Sequence, residues 1–221
     1  MVLEGYIGSM RSGKTLTMTR ELYKEYINGR KVYSNYWLNF PHEELDINDL
    51  DEAIRRKDTS RFDNAVIGID EIHVYLDSRT SGAKRNRITS YFMTQSGKMN
   101  CRILWTSQFL RQVELRIRYN SNYLNSCKRF IMYKKKKIYL PQDDKRVDFI
   151  VEVKHHVLSE GYGKIGFLRD KTWYLRQPKR FFHLYDTLQK VFFVEQKTDE
   201  EYDKLLKPNY KAKKKLTKVK K

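Results

Sequence analysis

The chain has 221 residues, which is enough for one substantial domain with a small appendage. Its 45 Lys and Arg residues outnumber its 27 Asp and Glu residues, which gives a net charge of +18. This positive charge favours polyanionic partners, with nucleic acid first among them. A need for solubility, or a charge excess that faces a membrane, would also account for the positive charge. No apolar run approaches the roughly 20 residues that a transmembrane helix needs, and the chain enters a predicted strand at once, so we expect neither a membrane span nor a signal peptide.

The first motif follows a short apolar run, residues 2–7, which predicts a strand. The next segment, GSMRSGKT, fits the pattern G-x-x-x-x-G-K-[ST] of the phosphate-binding P-loop at every fixed position. The two glycines free the backbone to wrap an anion, and the N–H groups at the start of the next helix point at it. We therefore predict that the nucleotide is bound by Gly8, Ser9, Met10, Arg11, Ser12, Gly13, Lys14 and Thr15.

Two side chains of this loop have chemical roles in a nucleotide site. Lys14 can reach the β- and γ-phosphates, and the Thr15 hydroxyl can bind Mg²⁺, so ATP and Mg²⁺ are the expected ligands. The alternative is a chance match on a glycine turn. A predicted helix over residues 16–27, with Asn28-Gly29 as its C-cap, supplies the context that favours the P-loop.

A second motif follows a predicted strand at 31–37, a loop at 39–51 and a short helix at 49–56 with Asn48 or Asp49 as its N-cap. The sequence AVIGIDE at 65–71 is an apolar run that ends in acid, which is typical of a buried parallel strand that carries a carboxylate to the sheet edge. It matches a Walker B element, in which Asp70 holds Mg²⁺ and Glu71 orients and polarises the attacking water. A strand followed by an acidic turn is the alternative.

The third strand with a polar end comes after a basic, polar segment at 78–86 and a predicted helix at 87–98. Residues 101–106 predict a buried strand, and Gln108 after it would either sense the γ-phosphate or be an ordinary solvated side chain. Cys101 and Cys127 form no CxxC pair, which argues against a zinc site and a disulfide framework. This cysteine usage suits a reducing compartment, so we expect the cytoplasm, or the host cytoplasm for a viral protein.

An arginine-bearing segment, FLRQVELRIRY at 109–119, follows Gln108. Its Arg111, Arg116 and Arg118 would be either surface residues or a source of an arginine finger for a neighbouring subunit. Beyond it we predict strands at 123–134, 138–140 and 147–158, a basic turn at 134–137 and a turn at 161–163. A short helix within 181–194 precedes a lysine-rich tail that begins near Lys204 and could hold polyanions.

These motifs together resemble the FtsK–HerA superfamily of P-loop ATPases, and within it the Zot-like and archaeal-virus-type genome-packaging ATPases. The resemblance rests on GSMRSGKT, AVIGIDE, CRILWTSQ and ELRIRYN. It implies that Gln108 is a polar sensor and that an arginine acts across the subunit interface, with Arg118 preferred and Arg111 second. The segment at 184–187 also resembles a Tyr-Asp-Thr signature of some members. Zot-like phage assembly proteins commonly carry a membrane span that this sequence lacks, which favours a soluble DNA motor.

We therefore predict an α/β P-loop NTPase with a central, mostly parallel sheet flanked by helices and a small β-rich C-terminal extension. The predicted parts are an ATPase core at 1–130, a β-rich and helical extension at 131–206 and a basic disordered tail at 207–221. The predicted function is Mg²⁺-dependent ATP hydrolysis that translocates double-stranded DNA through a homo-oligomeric ring, in genome packaging or DNA transfer by a viral or plasmid motor. The alternatives are a nucleotide kinase-like phosphotransferase, a Zot-like phage assembly ATPase and a non-enzymatic nucleic-acid-binding protein.

Overall fold

A computed structural model describes residues 2–80, 84–161 and 164–186 of the chain. Within these ranges nine strands form a single sheet. The strands are β1 (Val2–Ile7), β2 (Lys31–Ser34), β3 (Glu43–Glu44), β4 (Ala65–Ile69), β5 (Arg102–Ser107), β6 (Tyr123–Tyr133), β7 (Lys136–Tyr139), β8 (Ile150–Gly161) and β9 (Lys164–Leu175). The α-helices are α1 (Lys14–Ile27), α2 (Ile47–Arg56), α3 (Lys84–Gln95) and α4 (Leu115–Asn120).

The order of the strands is β3-β2-β4-β5-β1-β6-β8-β9, and β7 pairs with β6. Every pair from β3 to β6 along this path is parallel, whereas the pairs that involve β7, β8 and β9 are antiparallel. The predicted mostly parallel sheet is thus confirmed. Because β5 lies between β1 and β4, the carboxyl ends of these three strands meet at one edge of the sheet.

Helices cover both faces of the sheet, as predicted. Alternating residues of each central strand enter different apolar clusters, as expected for strands that are buried on both sides. On β5, Ile103 and Trp105 join the cluster that contains α2 and α3 residues, while Leu104 joins the cluster that contains α1 residues. The Trp105 ring fills the space above Gly5, where an added Cβ would lie 2.3 Å from its Cζ2. The chemistry-bearing strand ends are therefore held by a double-sided core.

Several element boundaries differ from the sequence predictions. Helix α2 begins at Ile47 and not at residue 49, because Asp46 is the N-cap and its carboxylate accepts the Asn48 N–H at 2.8 Å. The predicted loop at 39–51 also contains β3. Helix α3 occupies Lys84–Gln95 and not 87–98. In place of the first part of the predicted helix at 181–194, Pro178–Leu184 form a 3-10 helix, while residues 187–194 lie outside the described ranges.

The C-terminal part of the described chain continues the sheet that the P-loop strand belongs to. Strand β6 pairs with β1 in parallel and with β8 in antiparallel orientation. The predicted boundary at residue 130 falls inside β6, and the division into core and extension stays a prediction. The predicted basic tail and most of the predicted turn at 161–163 lie outside the described residues. No helix in the described part of the chain has the length and apolar character for crossing a membrane.

Candidate active site

The P-loop segment wraps tightly between β1 and α1. Gly8, Arg11 and Gly13 have φ values of 150°, 57° and 93°, positive values that let the backbone turn tightly between β1 and α1. The Ser12 N–H donates to Ser9 O at 3.2 Å, which closes the loop. Lys14 is 5% exposed, and its Nζ donates to Ser9 O at 3.2 Å. The loop is therefore closed by its own hydrogen bonds, with the Lys14 side chain folded over it.

Thr15 and Asp70 converge although they lie 55 residues apart. The Thr15 hydroxyl donates to Asp70 Oδ1 at 2.9 Å, and the Thr106 hydroxyl donates to the same oxygen at 2.6 Å. Asn35, which follows β2, accepts the Asp70 N–H at 2.7 Å and donates to the Asp70 carbonyl at 3.0 Å. The Walker B carboxylate is thus held in place by side chains from the ends of two neighbouring strands.

Glu71 lies next to the lysine of the loop. Its backbone has φ +50°, and its N–H donates to Thr106 Oγ1 at 2.9 Å. One carboxylate oxygen is 4.0 Å from Lys14 Nζ, and the other, which has no hydrogen-bond partner among the described residues, is 3.3 Å from His73 Nδ1. His73 Nδ1 is also 3.2 Å from the Ser107 hydroxyl. Glu71 is therefore positioned by its backbone, with one carboxylate oxygen facing Lys14 and the other buried beside His73.

The environment shifts the pKa values of these acids and of the nearby histidine. Burial raises the pKa of Asp70, while hydrogen bonds from Thr106 and Thr15 and the charge of Lys14 act in the opposite direction. Burial and then the negative charge of Asp70 raise the pKa of Glu71, and Lys14 opposes this shift. Burial lowers the pKa of His73. Because its ordinary value is about 6.5, the ring is mostly neutral at pH 7, and its contact with Glu71 is not a strong ion pair.

In the described part of the chain, the other predicted catalytic residues do not contact these acids. Gln108 follows the last residue of β5 and is half-buried, and no hydrogen bond joins its side chain to the described residues. Arg111 is exposed in a 3-10 helix, Leu110–Gln112. Arg118 lies on α4, and its Nε is buried without a hydrogen-bond partner in the described part of the chain. The structure thus brings together Lys14, Thr15, Asp70 and Glu71, and the roles of the other three residues stay predictions.

Sequence reasoning overlooked Asn35, Thr106 and His73. A signal was present for Thr106, because it is a polar residue at the carboxyl end of the predicted buried strand at 101–106. None was present for Asn35, which falls inside the predicted strand at 31–37 and follows β2 only in the structure. The third, His73, lies two residues after Glu71 in a 3-10 helix, Ile72–Val74, and the strand pattern gives no signal for it.

A cavity of about 680 Å³ opens from the P-loop. One side is formed by residues 11–16, with Tyr36 and Asp70. The other side is formed by C-terminal residues, namely Arg129, Asp144, Lys145, Arg146, Val147, Phe149, Phe182, Tyr185 and Asp186. Two members of the Tyr-Asp-Thr segment therefore face the phosphate loop, whereas Thr187 lies outside the described residues.

Comparisons with known proteins support the fold. Neither the models of protein families nor the curated proteins include a match to the sequence. Among solved structures, the N-terminal domain of zonular occludens toxin from Neisseria meningitidis is similar, with 17% identity and a TM-score of 0.53. The alignment covers 84% of this chain and 100% of that chain. The Zot-like resemblance is thus confirmed at the level of the fold.

Two further structures are those of the genome packaging NTPase B204 from Sulfolobus turreted icosahedral virus 2. In complex with AMP it has 8% identity and a TM-score of 0.44, over 77% of this chain and 98% of that chain. In complex with ATP-gammaS it has 8% identity and a TM-score of 0.46, and the alignment covers 75% of this chain and 95% of that chain. These lower scores support no conclusion about this chain. The sheet order, the P-loop and the zonular occludens toxin domain together establish that the chain has an α/β P-loop NTPase fold.

Proposed function

We propose that the chain hydrolyses ATP with Mg²⁺ and that a homo-oligomeric ring of copies uses this hydrolysis to move double-stranded DNA. The observation that carries the proposal is the convergence of Lys14, Thr15, Asp70 and Glu71 at the carboxyl ends of β1 and β4. A phosphate cradle alone would account for nucleotide binding. A hydrolase also needs one acid that can bind Mg²⁺ and a second that can activate water, and Asp70 and Glu71 lie beside the loop in positions that suit these two roles.

The donor set at this site fits a magnesium ion. Thr15 Oγ1 and Asp70 Oδ1 are hard oxygen donors only 2.9 Å apart, and Mg²⁺ is commonly bound by one or two such groups together with substrate phosphates and water. We therefore assign magnesium binding to Thr15 and Asp70. The bound ion would supply positive charge to the β- and γ-phosphate oxygens.

We assign the stabilisation of phosphate charge to Lys14 and the activation of water to Glu71. The Lys14 ammonium is held at the mouth of the loop, where it can balance charge on the γ-phosphate. One oxygen of the Glu71 carboxylate lies 4.0 Å from Lys14 Nζ, on the side of the P-loop, and its raised pKa makes Glu71 a stronger base than an exposed glutamate. We assign to it the orientation of the attacking water and the acceptance of its proton.

The proposed DNA partner is supported by charge and by the β6–β7 hairpin. The chain carries a net charge of +18. Lys134 and Lys135 form the hairpin turn, and both are exposed. Exposed Tyr133 lies next to them, with the Lys134 Nζ 5.4 Å from its ring centroid. Exposed Tyr139 lies further along the hairpin, with the Lys128 Nζ 5.8 Å from its ring centroid. A basic surface with interleaved aromatic rings is typical of proteins that bind nucleic acid.

The test is ATP hydrolysis measured with and without double-stranded DNA, by the wild-type protein and by the Glu71→Gln variant. We expect DNA-stimulated release of phosphate from the wild type and a loss of roughly 10²- to 10⁴-fold in turnover for Glu71→Gln, with ATP binding retained. A Glu43→Gln variant, which changes an exposed glutamate on β3, serves as the control. Wild-type turnover by Glu71→Gln would remove Glu71 as the base.

The same assay tests the phosphotransferase alternative. Nucleoside monophosphates are added as acceptors, and ADP formation is measured in their presence and absence. We expect ADP to form without an acceptor. ADP formation that requires an acceptor would contradict the proposed hydrolase and favour a nucleotide kinase.

A further inference from the structure

The side of the cavity that faces the P-loop contains the aromatic rings of Phe149, Phe182 and Tyr185, none of which the hydrolytic chemistry uses. We propose that Phe149 and Phe182 form the nucleobase subsite, against which the aromatic base of the nucleotide lies. This inference rests on the proposed function, because it takes the phosphates to be held by residues 8–15. We call residues 144–149 together with Phe182 the base wall.

The two rings belong to different segments and lie side by side. Phe149 precedes β8 and Phe182 lies in the 3-10 helix Pro178–Leu184, and their centroids are 6.2 Å apart with an interplanar angle of 36°. Both side chains are half-buried and both line the cavity. They therefore present apolar ring surface to a cavity whose loop side is polar, and a flat aromatic base suits such a surface.

Hydrogen bonds from Arg129, which also lines the cavity, hold the base wall in place. Arg129 is 6% exposed as a whole residue, and its guanidinium lies 5.6 Å from the Phe149 ring centroid. Its Nη2 donates to the carbonyl of Pro141 at 2.8 Å and also to that of Asp144. The Asp144 carboxylate accepts the Arg146 N–H at 2.8 Å. The segment that leads into Phe149 is thus held by a buried arginine, which preorganises the wall.

Two contacts fix the distance between the base wall and the P-loop. The Arg11 Nη1 donates to the carbonyl of Asp143 at 3.2 Å. Gly13 packs against Val151 at the start of β8, two residues after Phe149. The cavity volume of about 680 Å³ lies inside the range of roughly 300–1,000 Å³ that is usual for small-molecule sites. A whole nucleotide, and not its phosphates alone, suits the space between the two sides.

A ligand without a base separates this inference from the proposed function. We would measure the dissociation constants of ATP and of inorganic tripolyphosphate, both with Mg²⁺, by calorimetry. The proteins are the wild type, Phe149→Leu, Phe182→Leu and the control Phe181→Leu. Phe181 is the neighbour of Phe182 in the same 3-10 helix, but its ring lies 5.7 Å from the Arg20 guanidinium and does not line the cavity.

We expect the wild type to bind ATP at least about tenfold more tightly than tripolyphosphate, because base stacking commonly contributes about that factor or more. Phe149→Leu and Phe182→Leu should each weaken ATP binding about tenfold and leave tripolyphosphate binding unchanged. Phe181→Leu should change neither constant.

Each contrary result has a distinct meaning. Equal affinity of the wild type for ATP and tripolyphosphate would overturn the base subsite, and this comparison needs no variant to fold. Unchanged ATP binding by both Leu variants would also overturn it, with the P-loop assignment intact. If the wild type binds neither ligand, the proposed function fails first, and with it the inference that rests on it. Retained tripolyphosphate binding shows that a variant is folded at its P-loop.

Discussion

Gly13 of the P-loop lies directly against Val151 of β8. A Cβ built on Gly13 would be 2.7 Å from Val151 Cγ2 and 3.2 Å from its Cγ1, and the Gly13 φ of +93° is one that side chains rarely adopt. The Val151 side chain is fully buried. The phosphate loop therefore takes its shape partly from a strand about 140 residues further along the chain, and glycine is needed at this position for space and for backbone conformation.

This contact predicts the energetics of a double substitution. Gly13→Ala should destabilise the fold by about 1–3 kcal/mol through overpacking and should weaken nucleotide binding. Val151→Ala, measured alone, should cost stability because it leaves a cavity. In the double variant the methyl group occupies part of that cavity, so its loss in free energy of unfolding should be smaller than the sum of the two single losses. Urea denaturation of the four proteins measures this coupling, and additive losses would contradict it.

The Thr106 hydroxyl predicts a positioning role that can be separated from folding. It donates to Asp70 Oδ1 and accepts the Glu71 N–H. Thr106→Val removes both bonds, and we expect roughly a 10- to 100-fold fall in turnover with a higher Mg²⁺ concentration at half-maximal activity. Thr106→Ser keeps the hydroxyl and should restore the magnesium dependence. Wild-type magnesium dependence in Thr106→Val would show that the hydroxyl does not position Asp70.

Local sequence sufficed for the two motifs at the centre of the site. The P-loop is a continuous strand, loop and helix, and Asp70-Glu71 directly follow a five-residue buried strand, so their chemistry was visible without the strand order. Asn35 and Thr106 reach Asp70 only because β2 and β5 flank β4. The base wall depends on β8 running back along β6. Such non-local pairings leave no signal in spacing or periodicity, so the contacts of these residues could not be predicted, although the polar end of the apolar run at Thr106 is visible in the sequence.

The two buried cysteines allow unfolding to be measured with a thiol reagent. Cys101 and Cys127 are 1% and 0% exposed, and burial raises the pKa of each thiol to about 12. In an unfolded chain the value is about 8.5, so the stability that the protonated thiols give is present below that pH and is lost as the pH rises through about 12.

We expect a thiol reagent such as Ellman's reagent to leave the native protein unlabelled at pH 8 and to label both cysteines in urea. Labelling measured across a urea series should follow the unfolding transition seen by circular dichroism. Rapid labelling of either thiol without urea would contradict the burial of that residue.

The hairpin lysines predict a salt-dependent contribution to DNA binding. If Lys134 and Lys135 contact phosphates, Lys134→Gln/Lys135→Gln should weaken binding to any double-stranded sequence and reduce the slope of log K against log salt by about one per lysine. Lys57→Gln/Lys98→Gln removes the same charge from exposed positions on other loops and is the matched control. Fluorescence anisotropy at several salt concentrations measures both slopes. Equal slopes for the two double variants would show that Lys134 and Lys135 do not contact the DNA phosphates.

The proposed role of Arg118 as an arginine finger predicts that two inactive variants restore ATP hydrolysis when their subunits are mixed. Its Nε is buried without a hydrogen-bond partner in the described part of the chain, and the side chain as a whole is half-buried on α4. If it reaches the γ-phosphate of the neighbouring copy, Arg118→Ala should lower turnover by about 10³-fold or more while ATP binding to the same subunit is retained. Arg111→Ala, which removes an exposed arginine from the same segment, is the comparison variant.

Mixing two inactive proteins makes this prediction decisive. A site built by an Arg118→Ala subunit, which keeps Glu71, and a Glu71→Gln neighbour, which keeps Arg118, has every group in place. Random mixing in a ring produces this arrangement at about one site in four, so turnover should return to about a quarter of the wild-type value if sites act independently. Because neither protein hydrolyses ATP alone, recovered activity requires a shared site. A mixture that forms rings and stays inactive would show that Arg118 does not act on a neighbour.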